Sequence, residues 1–355
     1  MRKAFTLIEL LVVIVIIGVI ATMSTIALTS MRSRARDSKR ISDLKQIATT
    51  LELYYADHNA YPTTLTFGSA LVGASNGKTY MAKVPTNPTP RAEGACADIE
   101  YQYAGSTSDF SLIGCLAKAS GDAPAGARRL SGGGSARDLG PTDGIVGWWT
   151  LDGLYTSGGV AADISGNNNG GTITGATLTT NQLGQANKAY NFNGSSDVIS
   201  FGDVDILKNK TEFTITGWYK RNTGGVPNGF LQQYIDLSNI ISFGYVNNYN
   251  RVGLRMNADL GYFTFEGTGT WQHYAAVFNG NLSGNANRLK FYRNGVSESL
   301  TFSGTIPATS PSISADLTLG KQGASFRESD QSDVRIYNRA LSDVEVTALY
   351  EATKP

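Results

Sequence analysis

Glu9 is the first residue in this sequence whose type and position require a chemical explanation, because it lies inside an otherwise apolar run. The run extends from Phe5 to Leu28 and contains no other charged residue. A carboxylate inside a bilayer costs at least ~2.5–3.5 kcal/mol on insertion scales. A buried carboxylate is tolerated when it is paired and hydrogen-bonded, so Glu9 needs a cationic partner.

Residue sets that could carry catalysis are not found in the sequence. Glycoside hydrolysis needs two carboxylates about 5–10 Å apart, which along one strand means acids at alternating positions. Glu298, Glu266 and Asp236 each stand alone. His273 lies beside Trp271 in an alternating segment typical of packed strands, which argues against a Ser-His-Asp site. No phosphate-binding glycine loop is present, and we therefore predict that the chain is not an enzyme.

The apolar segment Phe5–Leu28 is long enough to span a membrane, since a helix of that length covers roughly 36 Å. Arg2 and Lys3 precede it and place the N-terminus in the cytoplasm. A secretory signal peptide has a shorter apolar core with a cleavage site after it. Here the one plausible cut, between Ala4 and Phe5, lies before the apolar segment. The alternative is a simple one-span anchor with an incidental carboxylate.

The string Ala4-Phe5-Thr6-Leu7-Ile8-Glu9-Leu10-Leu11 resembles the N-terminus of type IV prepilins and pseudopilins. The resemblance implies that Met1–Ala4 is a leader, that a membrane peptidase cleaves between Ala4 and Phe5, and that the new Phe5 amine is methylated. It also implies that Glu9 pairs with the Phe5 amine of a neighbouring subunit. Ala4 stands where the family usually has Gly, and no proline precedes Pro62, whereas many pilins have one in the buried helix.

Beyond Leu28 the helix is predicted to continue, because apolar residues recur at three- and four-residue spacing from Ile41 to Tyr55. It should end near Asn59, since Tyr61 precedes Pro62 and such a residue disfavours the α conformation. The intervening basic run contains Arg32, Arg34, Arg36, Lys39 and Arg40, with Asp37 among them. A basic run fits nucleic acid or lipid headgroups, but we favour a solvated or headgroup-level helix face in a filament.

Residues 62–120 complete a small head, which gives a pilin domain over residues 5–120. Residues 99–103 and 109–113 alternate like strands. Cys96 and Cys115, both cysteines of the chain, flank them, and an even count in an exported domain predicts one disulfide. Two free buried thiols are the alternative. A metal site is not credible with two cysteines and His58 as the one nearby histidine.

The composition fits two domains joined by a linker. The chain has 355 residues, 40 of them glycine, and a formal net charge of +1 that favours neither nucleic acid nor an acidic partner. Residues 121–143 are rich in glycine and lack apolar periodicity, so we predict a flexible linker with a reach of ~25–30 Å. A second domain, residues 144–355, would then reorient freely and fold alone when excised.

From Gly144 onward the sequence predicts a β-sandwich. Residues 213–220 and 271–278 alternate in polarity, and residues 288–293 run into the hairpin signal Asn294-Gly295. One helix is predicted, Ser342–Ala352, with Ser342 as N-cap and Glu345 completing a capping box. The predicted fold class is α+β: a long N-terminal α-helix with a small pilin β head, then an all-β jelly-roll sandwich.

The second domain resembles laminin G-like (concanavalin A-like) jelly-roll domains over residues 144–352. The strings that carry the resemblance are residues 147–152, 163–170, 190–197 and 332–342. The resemblance implies carbohydrate or protein binding and often a calcium ion.

Asp163, Asn167 and Asn169 lie in a loop rich in oxygen ligands suited to a hard cation, and Asp333 could join them. The alternative is a tight turn whose side chains bond their own backbone. Tryptophans could stack on sugar rings, although most tryptophans in sandwiches are core residues. The four are Trp148, Trp149, Trp218 and Trp271.

We therefore predict a structural subunit of a type IV pilus-like extracellular filament that displays an adhesive laminin G-like domain. Its partners would be other copies of itself, the prepilin peptidase and pilus assembly machinery, and an extracellular glycan or protein ligand. Before assembly it would reside in the bacterial cytoplasmic membrane, and no specific nucleic acid is expected. One alternative is a pseudopilin of a type II secretion or DNA-uptake machine, and a second is a surface-displayed glycan-active enzyme. The large second domain favours display, because a piston in a narrow channel has little room for it.

Overall fold

The computed structural model of the chain describes residues 7–118, 125–132, 136–222, 229–246, 250–265, 267, 269–322, 325–326 and 328–355. A helix of 52 residues, α1 (Leu7–His58), leads into a four-stranded head sheet and then into a two-sheet sandwich. This confirms the predicted architecture of a long helix, a small β head and an all-β sandwich.

Helix α1 has two halves that differ in what covers them. Its C-terminal half buries an apolar stripe against the head, including Leu44 and Leu51, as the residue spacing predicted. The helix ends at His58. The next residue, Asn59, is left-handed with φ 53°, and its N–H donates to the Tyr55 carbonyl at 2.7 Å. This αL termination satisfies a terminal carbonyl and lies at the predicted end.

The head consists of a two-stranded ribbon and a four-stranded antiparallel sheet. The ribbon pairs β1 (Leu71–Val72) with β2 (Thr79–Met81). The sheet contains β3 (Gln102–Gly105), β4 (Phe110–Leu116), β5 (Gly126–Ser131) and β6 (Ala136–Gly140), in that spatial order. Strands β3 and β4 correspond to the two alternating segments of the sequence, with slightly later bounds.

Strands β5 and β6 lie within residues 121–143, which we predicted to be a flexible linker. The described part of this segment instead extends the head sheet, because β5 pairs with β4 and β6 pairs with β5. Ala127, Leu130 and Leu139 are buried, whereas the adjacent Arg128 and Arg129 interrupt the apolar alternation that would reveal a strand. Residues 121–124 and 133–135 lie outside the described residues. Residues 141–144 alone separate β6 from the sandwich.

Residues 145–337 form the strands of a sandwich with one apolar core. In chain order the strands are β7 (Ile145–Trp149), β8 (Thr156–Ser157), β9 (Val160–Ala161), β10 (Gly171–Thr174), β11 (Thr177–Thr179), β12 (Ala189–Asn193), β13 (Val198–Ser200), β14 (Glu212–Arg221), β15 (Gly229–Asp236), β16 (Asn239–Tyr245), β17 (Arg251–Met256), β18 (Asp259–Thr264), β19 (Trp271–Asn279), β20 (Leu289–Arg293), β21 (Val296–Glu298), β22 (Thr301–Ser303), β23 (Leu317–Leu319), β24 (Lys321–Gln322), β25 (Ser325–Phe326) and β26 (Glu328–Tyr337). One sheet has the order β22-β18-β17-β16-β15-β23-β13-β10-β9-β8. The other has the order β11-β12-β26-β14-β19-β20-β21, with β7 also paired to β26, and β24 and β25 form a separate two-stranded ribbon.

The sandwich core lies between these sheets and is rich in aromatic side chains, among them Trp149, Phe213 and Phe243. The turn between β20 and β21 contains Asn294 and Gly295, with φ 52° and 76°. Positive φ at both central residues is what a type I′ hairpin requires, as the sequence predicted.

Two helices and a short 3-10 turn (Gly153–Tyr155) complete the sandwich. Helix α2 (Asn285–Arg288) is a single turn, and α3 (Asp343–Thr353) follows β26. The predicted capping box is present: Ser342 Oγ accepts the Glu345 N–H at 3.3 Å, and Glu345 accepts the Ser342 N–H at 2.9 Å. Helix α3 contacts both the sandwich, where Trp218 Nε1 donates to Thr353 Oγ1 at 2.8 Å, and β6 of the head.

Candidate functional site

The N-terminal half of α1 is an apolar surface that the described part of the chain does not cover. Large apolar side chains between Leu7 and Met31 are exposed. Leu7 is 83% exposed and Met31 is 68% exposed. An 18-residue window of the helix has a mean hydropathy of 2.8, and none of it is buried. Exposed apolar area costs about 25 cal/mol per Å². By length and composition this helix can cross a membrane, and its surface needs lipid or other protein chains to cover it.

The residues predicted to direct processing and assembly lie at the start of this helix. Ala4 and Phe5 lie outside the described residues, and Glu9 lies in the first turn of α1. Cleavage between Ala4 and Phe5, methylation of Phe5 and its pairing with Glu9 therefore stay predictions.

Part of the basic run fixes α1 to the head. Arg40 is fully buried and donates from Nη1 to Asp37 at 2.8 Å and from Nε to Asn87 at 3.0 Å. Asp37 also accepts the backbone N–H groups of Ala117 and Lys118, at 2.8 and 2.9 Å. A buried carboxylate with this many donors is well satisfied. The pair therefore holds the middle of the helix against the end of β4.

Other members of the run face outward or pair at the surface. Arg36 forms an ion pair with Glu93 at 2.5 Å, and the hydrogen bond from Arg36 lowers the pKa of Glu93. Arg32 and Arg34 are exposed just beyond the apolar part of α1. Their position suits the headgroup-level helix face that we favoured from the sequence.

Cys96 and Cys115 form a disulfide, as predicted. The bridge lies where the chain enters the sandwich, because the Ala95 carbonyl next to it accepts the Thr142 N–H at 2.9 Å. The disulfide thus belongs to the region that joins the head to the sandwich.

Asp163 organises the loop that we predicted to bind calcium. Its carboxylate accepts three backbone N–H groups, from Trp148 at 2.9 Å, Ser165 at 2.8 Å and Asn169 at 3.0 Å. The side-chain amides of Asn167 and Asn169 donate to neighbouring groups at 3.0 and 2.9 Å. Such local bonding is typical of an Asx-type turn.

Asp333, the fourth predicted ligand, is bound to Arg335 through Nε at 3.0 Å and Nη2 at 2.7 Å, and accepts Trp148 Nε1–H at 2.8 Å. Burial alone would raise the pKa of Asp333, but the charge and hydrogen bonds of Arg335, with the Trp148 N–H and the charge of Arg129, together lower it. Among the residues that the structure describes, no group of three or more His, Cys, Asp or Glu is placed to hold a metal ion. The two carboxylates already have their donors, so this arrangement does not fit calcium. It fits the tight-turn alternative, and calcium binding stays a prediction to be tested.

Three of the four tryptophans, Trp148, Trp149 and Trp218, are buried, and Trp271 is half-buried. His273 packs between Trp218 and Tyr350. Burial lowers the pKa of His273 to about 3, which keeps it neutral. These positions agree with the structural role that we favoured for His273 and for most of the tryptophans.

One end of the sandwich, which we call the rim, carries five cations stacked on aromatic rings. The pairs, with the distance from cation to ring centroid, are Lys220–Trp271 (5.7 Å), Arg221–Tyr245 (5.1 Å), Arg251–Tyr262 (4.4 Å), Arg293–Phe265 (4.5 Å) and Lys321–Phe326 (5.4 Å). Strand register places them at one end, since β14, β16 and β18 finish there while β17, β19 and β26 begin there. Sequence reasoning missed the rim, because all but one of the five pairs join different segments of the chain that come together only in the folded sandwich.

The head and the sandwich are packed together through an apolar junction. Ile113, Ala127 and Leu139 of the head belong to the same buried cluster as Trp148 and Leu349 of the sandwich. The expectation of a freely reorienting second domain is therefore corrected.

Two arginines cross this junction in opposite directions. Arg335 of β26 donates from Nη1 to the Leu139 carbonyl of β6 at 2.6 Å and lies 4.3 Å from the Trp148 ring centroid. Arg137 of β6 donates from Nε to the Ala352 carbonyl at the end of α3, at 3.1 Å. The junction thus combines apolar burial with directional hydrogen bonds.

Two parts of the chain match known protein families. Residues 1–25 match the prokaryotic N-terminal methylation motif, and residues 193–347 match the Concanavalin A-like lectin/glucanases superfamily. The motif implies processing by a prepilin peptidase and handling by pilus assembly machinery. No curated protein matches the chain.

Solved structures with a similar fold include the Trypanosoma rangeli sialidase in complex with sialic acid, at 14% identity and TM-score 0.45, over 61% of this chain and 34% of the sialidase. Domain 4 of an extracellular arabinanase from Geobacillus stearothermophilus, in complex with arabinotriose, matches at 23% identity and TM-score 0.42, over 58% of this chain and 98% of that domain. The receptor binding domain of a botulinum neurotoxin C/D mosaic serotype matches at 12% identity and TM-score 0.38, over 60% of this chain and 52% of that one. The chain spans about a third of the sialidase, and similarity of this degree shows the fold alone.

These similarities correct one prediction made from the sequence. We predicted that the chain is not an enzyme. Structures with a similar fold include a sialidase and a domain of an arabinanase, so that prediction does not stand, and similarity of this degree assigns no activity to the chain. Their substrates are not transferred to this chain at such low identity.

The apolar helix and the matched motif fit a membrane-anchored precursor. The chain combines a prokaryotic N-terminal methylation motif with a concanavalin A-like sandwich, and this combination supports a pilus- or pseudopilin-type surface protein.

Proposed function

We propose that this chain is the structural subunit of a type IV pilus-like extracellular filament that displays its sandwich as a ligand-binding surface. The observation that carries the proposal is the uncovered apolar half of α1, which continues without interruption into the half that the head buries. In the membrane, lipid would cover this surface. In the filament, the helices of neighbouring subunits would replace the lipid.

Glu9 would register the subunits during this exchange. Cleavage before Phe5 creates an ammonium group, and an intramembrane carboxylate requires such a counter-charge. Pairing of Glu9 with the Phe5 ammonium of the next copy satisfies both charges at once, and it is possible only after the leader has been removed.

The docked sandwich supports display rather than a role as a short secretion piston. The head and the sandwich share one buried cluster, so every subunit adds the sandwich to the width of the filament at a fixed position. A pseudopilin confined to a channel would have to accommodate that width.

The rim is the surface that we assign to ligand contact. Aromatic faces and cations together bind sugars or acidic protein surfaces. Lys220 and Arg293 also pair with carboxylates, at 2.6 and 2.7 Å. Among the described residues, Arg251 and Lys321 have no carboxylate within ion-pair distance, which leaves their charge available to an extracellular glycan or protein.

Glu9→Ala tests assembly. The variant should reach the membrane at normal levels, because the span becomes more apolar, but sheared surface filaments should be absent or short. Ser24→Ala is a matched control, since Ser24 lies in the same helix and its hydroxyl donates to the Ile20 carbonyl at 2.8 Å. Normal filaments from Glu9→Ala would contradict the proposed registration. This chain in periplasmic material alone, without surface filaments, would favour the pseudopilin.

Ligand binding is tested separately with purified protein on arrays of glycans and extracellular proteins. Arg251→Ala should weaken the strongest signal at least fivefold, and Arg255→Ala, which changes an arginine of the same strand away from the rim, should not. Equal binding by both variants would remove the rim from the proposal. Release of free sugar from a bound glycan would show that the sandwich turns its ligand over.

A further inference from the structure

A small cavity lies at the junction between the head and the sandwich, in a part of the molecule that neither the helix nor the rim explains. It has a volume of about 40 Å³ and is partly open to solvent. Arg129 and Arg137 line it from β5 and β6 of the head, and Asp152, Lys188 and Asp333 line it from the sandwich. Arg129 and Lys188 are well buried, with 19% and 15% of their side chains exposed.

The charges around this junction cavity do not balance. Asp152 serves two cations, because its Oδ2 accepts from Arg129 at 3.3 Å and from Lys188 at 3.0 Å. Asp333 is neutralised by Arg335, as described above. Lys188 has one further partner, Asp109, at 3.3 Å. Four cations thus meet three carboxylates: Arg129, Arg137, Lys188 and Arg335 against Asp109, Asp152 and Asp333.

Arg137 is the cation left over. In the described structure its hydrogen bonds go to the backbone carbonyls of Ala352 and Lys354, which are neutral groups. Burial lowers the pKa of Arg137, the nearby positive charge of Arg129 lowers it further, and the Asp333 carboxylate only partly offsets these effects. A guanidinium has five donors, and the described structure gives Arg137 two hydrogen bonds, so donors remain available at the cavity that it lines.

We propose that the junction cavity binds one small oxyanion, a phosphate, a sulfate or the carboxylate of an acidic sugar, between Arg129, Arg137 and Lys188. Planar guanidinium groups bind carboxylate and phosphate oxygens in a fork geometry. The volume suits a group of this size, since one water occupies about 10–15 Å³ on the same measure. Neutral donors and acceptors, among them Asn181 and Gln182, complete the lining.

Such an anion would brace the two units against each other. Arg129 and Arg137 belong to the head sheet, whereas Lys188 belongs to the sandwich, so one bound group would connect cations from both sides. A ligand that binds only the docked, native arrangement stabilises it by mass action.

The test uses the full chain, purified in neutral detergent, and measures its melting temperature at constant ionic strength. Sodium phosphate, sodium sulfate and sodium glucuronate each replace sodium chloride in separate series. At a concentration a hundredfold above Kd, a bound oxyanion should raise the Tm by about 3–5 °C. If the phosphate or sulfate series gives the largest rise in Tm, the anion is a free inorganic ion. If the glucuronate series does, the anion is the carboxylate of an acidic sugar.

Arg137→Gln should abolish this shift. Arg128→Gln is the matched control, because Arg128 lies on β5 beside Arg129 but pairs with Asp138 at 3.1 Å, outside the cavity lining, and it should leave the shift intact. If Arg137→Gln folds poorly, Arg137→Lys keeps the charge without the fork and should weaken binding at least fivefold in calorimetric titration. Equal shifts in the wild type and Arg137→Gln, or no shift beyond that of chloride, would overturn the proposal.

Discussion

Replacement of Arg335 by methionine should destabilise this protein more than the loss of any surface ion pair. Arg335 is 1% exposed, holds Asp333 through two bonds and donates to the Leu139 carbonyl across the junction. Removing one partner of a buried pair costs about 3–5 kcal/mol, because the other charge stays buried and unpaired. The carbonyl that loses its donor adds about 1 kcal/mol or more. We therefore expect Arg335→Met to lower the free energy of unfolding by about 5 kcal/mol, a large part of the ~5–15 kcal/mol typical of folded proteins.

Urea unfolding of the full chain in neutral detergent, followed by tryptophan fluorescence, measures this loss directly. Lys290→Met is the matched control. It removes an ion pair with Asp343 whose members are 45% and 66% exposed, and such pairs contribute about 0–1 kcal/mol. The double variant Arg335→Met, Asp333→Asn should recover part of the loss, because no unpaired charge remains. An Arg335→Met protein within 1 kcal/mol of the wild type would refute this account of the junction.

The Arg335–Asp333 pair also makes the free energy of unfolding depend on pH in the acid range. The pKa of Asp333 is lowered in the folded protein, so its contribution is complete above the ordinary aspartate pKa of about 3.9. The contribution is lost as the pH falls through the lowered, folded pKa. In Arg335→Met this acid-side loss of stability should disappear, because burial without a counter-ion favours the protonated carboxyl.

Three further predictions concern processing, excision and calcium. N-terminal sequencing of membrane or filament protein should find that the mature chain begins with a methylated Phe5. A chain that still begins with Met1, or that is cut after Ala21, would contradict the prediction of prepilin processing. Fragment 144–355, which we expected from the sequence to fold alone, should now expose Trp148 and Leu349, bind a hydrophobic dye and melt at least 5 °C below fragment 30–355. If fragment 144–355 binds no dye and has the same melting temperature as fragment 30–355, the sandwich is an independently stable domain, as the sequence first suggested. Asp163→Ala removes the acceptor of three backbone N–H groups and should cost about 2–4 kcal/mol with or without calcium, whereas a calcium-dependent rise in Tm that this variant abolishes would establish the metal site.

Features set by neighbouring residues were predictable from the sequence, and features set by distant residues were not. The capping box of Ser342 and Glu345 and the end of α1 near Asn59 depend on a few adjacent positions. Strand β5 could not be recognised, because Arg128 pairs with Asp138 on one side and Arg129 with Asp152 on the other. Both partners are fixed by tertiary structure, so a polar, glycine-flanked segment resembled a linker.

The predicted calcium loop shows a different limit. Composition correctly identified a cluster of oxygen-bearing side chains at Asp163, Asn167 and Asn169. It could not tell whether those oxygens face a cation or their own backbone, because that depends on the path of the turn and on the Trp148 N–H, which β7 supplies. The rim is equally non-local, since Arg221 and Tyr245 come from different sheets.

The path of β26 determines how the molecule would carry a mechanical load. The strand begins at the rim with Glu328 and ends with Tyr337, whose hydroxyl donates to the Pro141 carbonyl of the head at 2.9 Å. Along its length it is bonded to β12, β14 and β7. Tension between a ligand at the rim and the helix would therefore run along this strand and shear its hydrogen bonds together, instead of opening them one after another. If the chain is the filament subunit proposed above, this pairing would oppose a pull along β26.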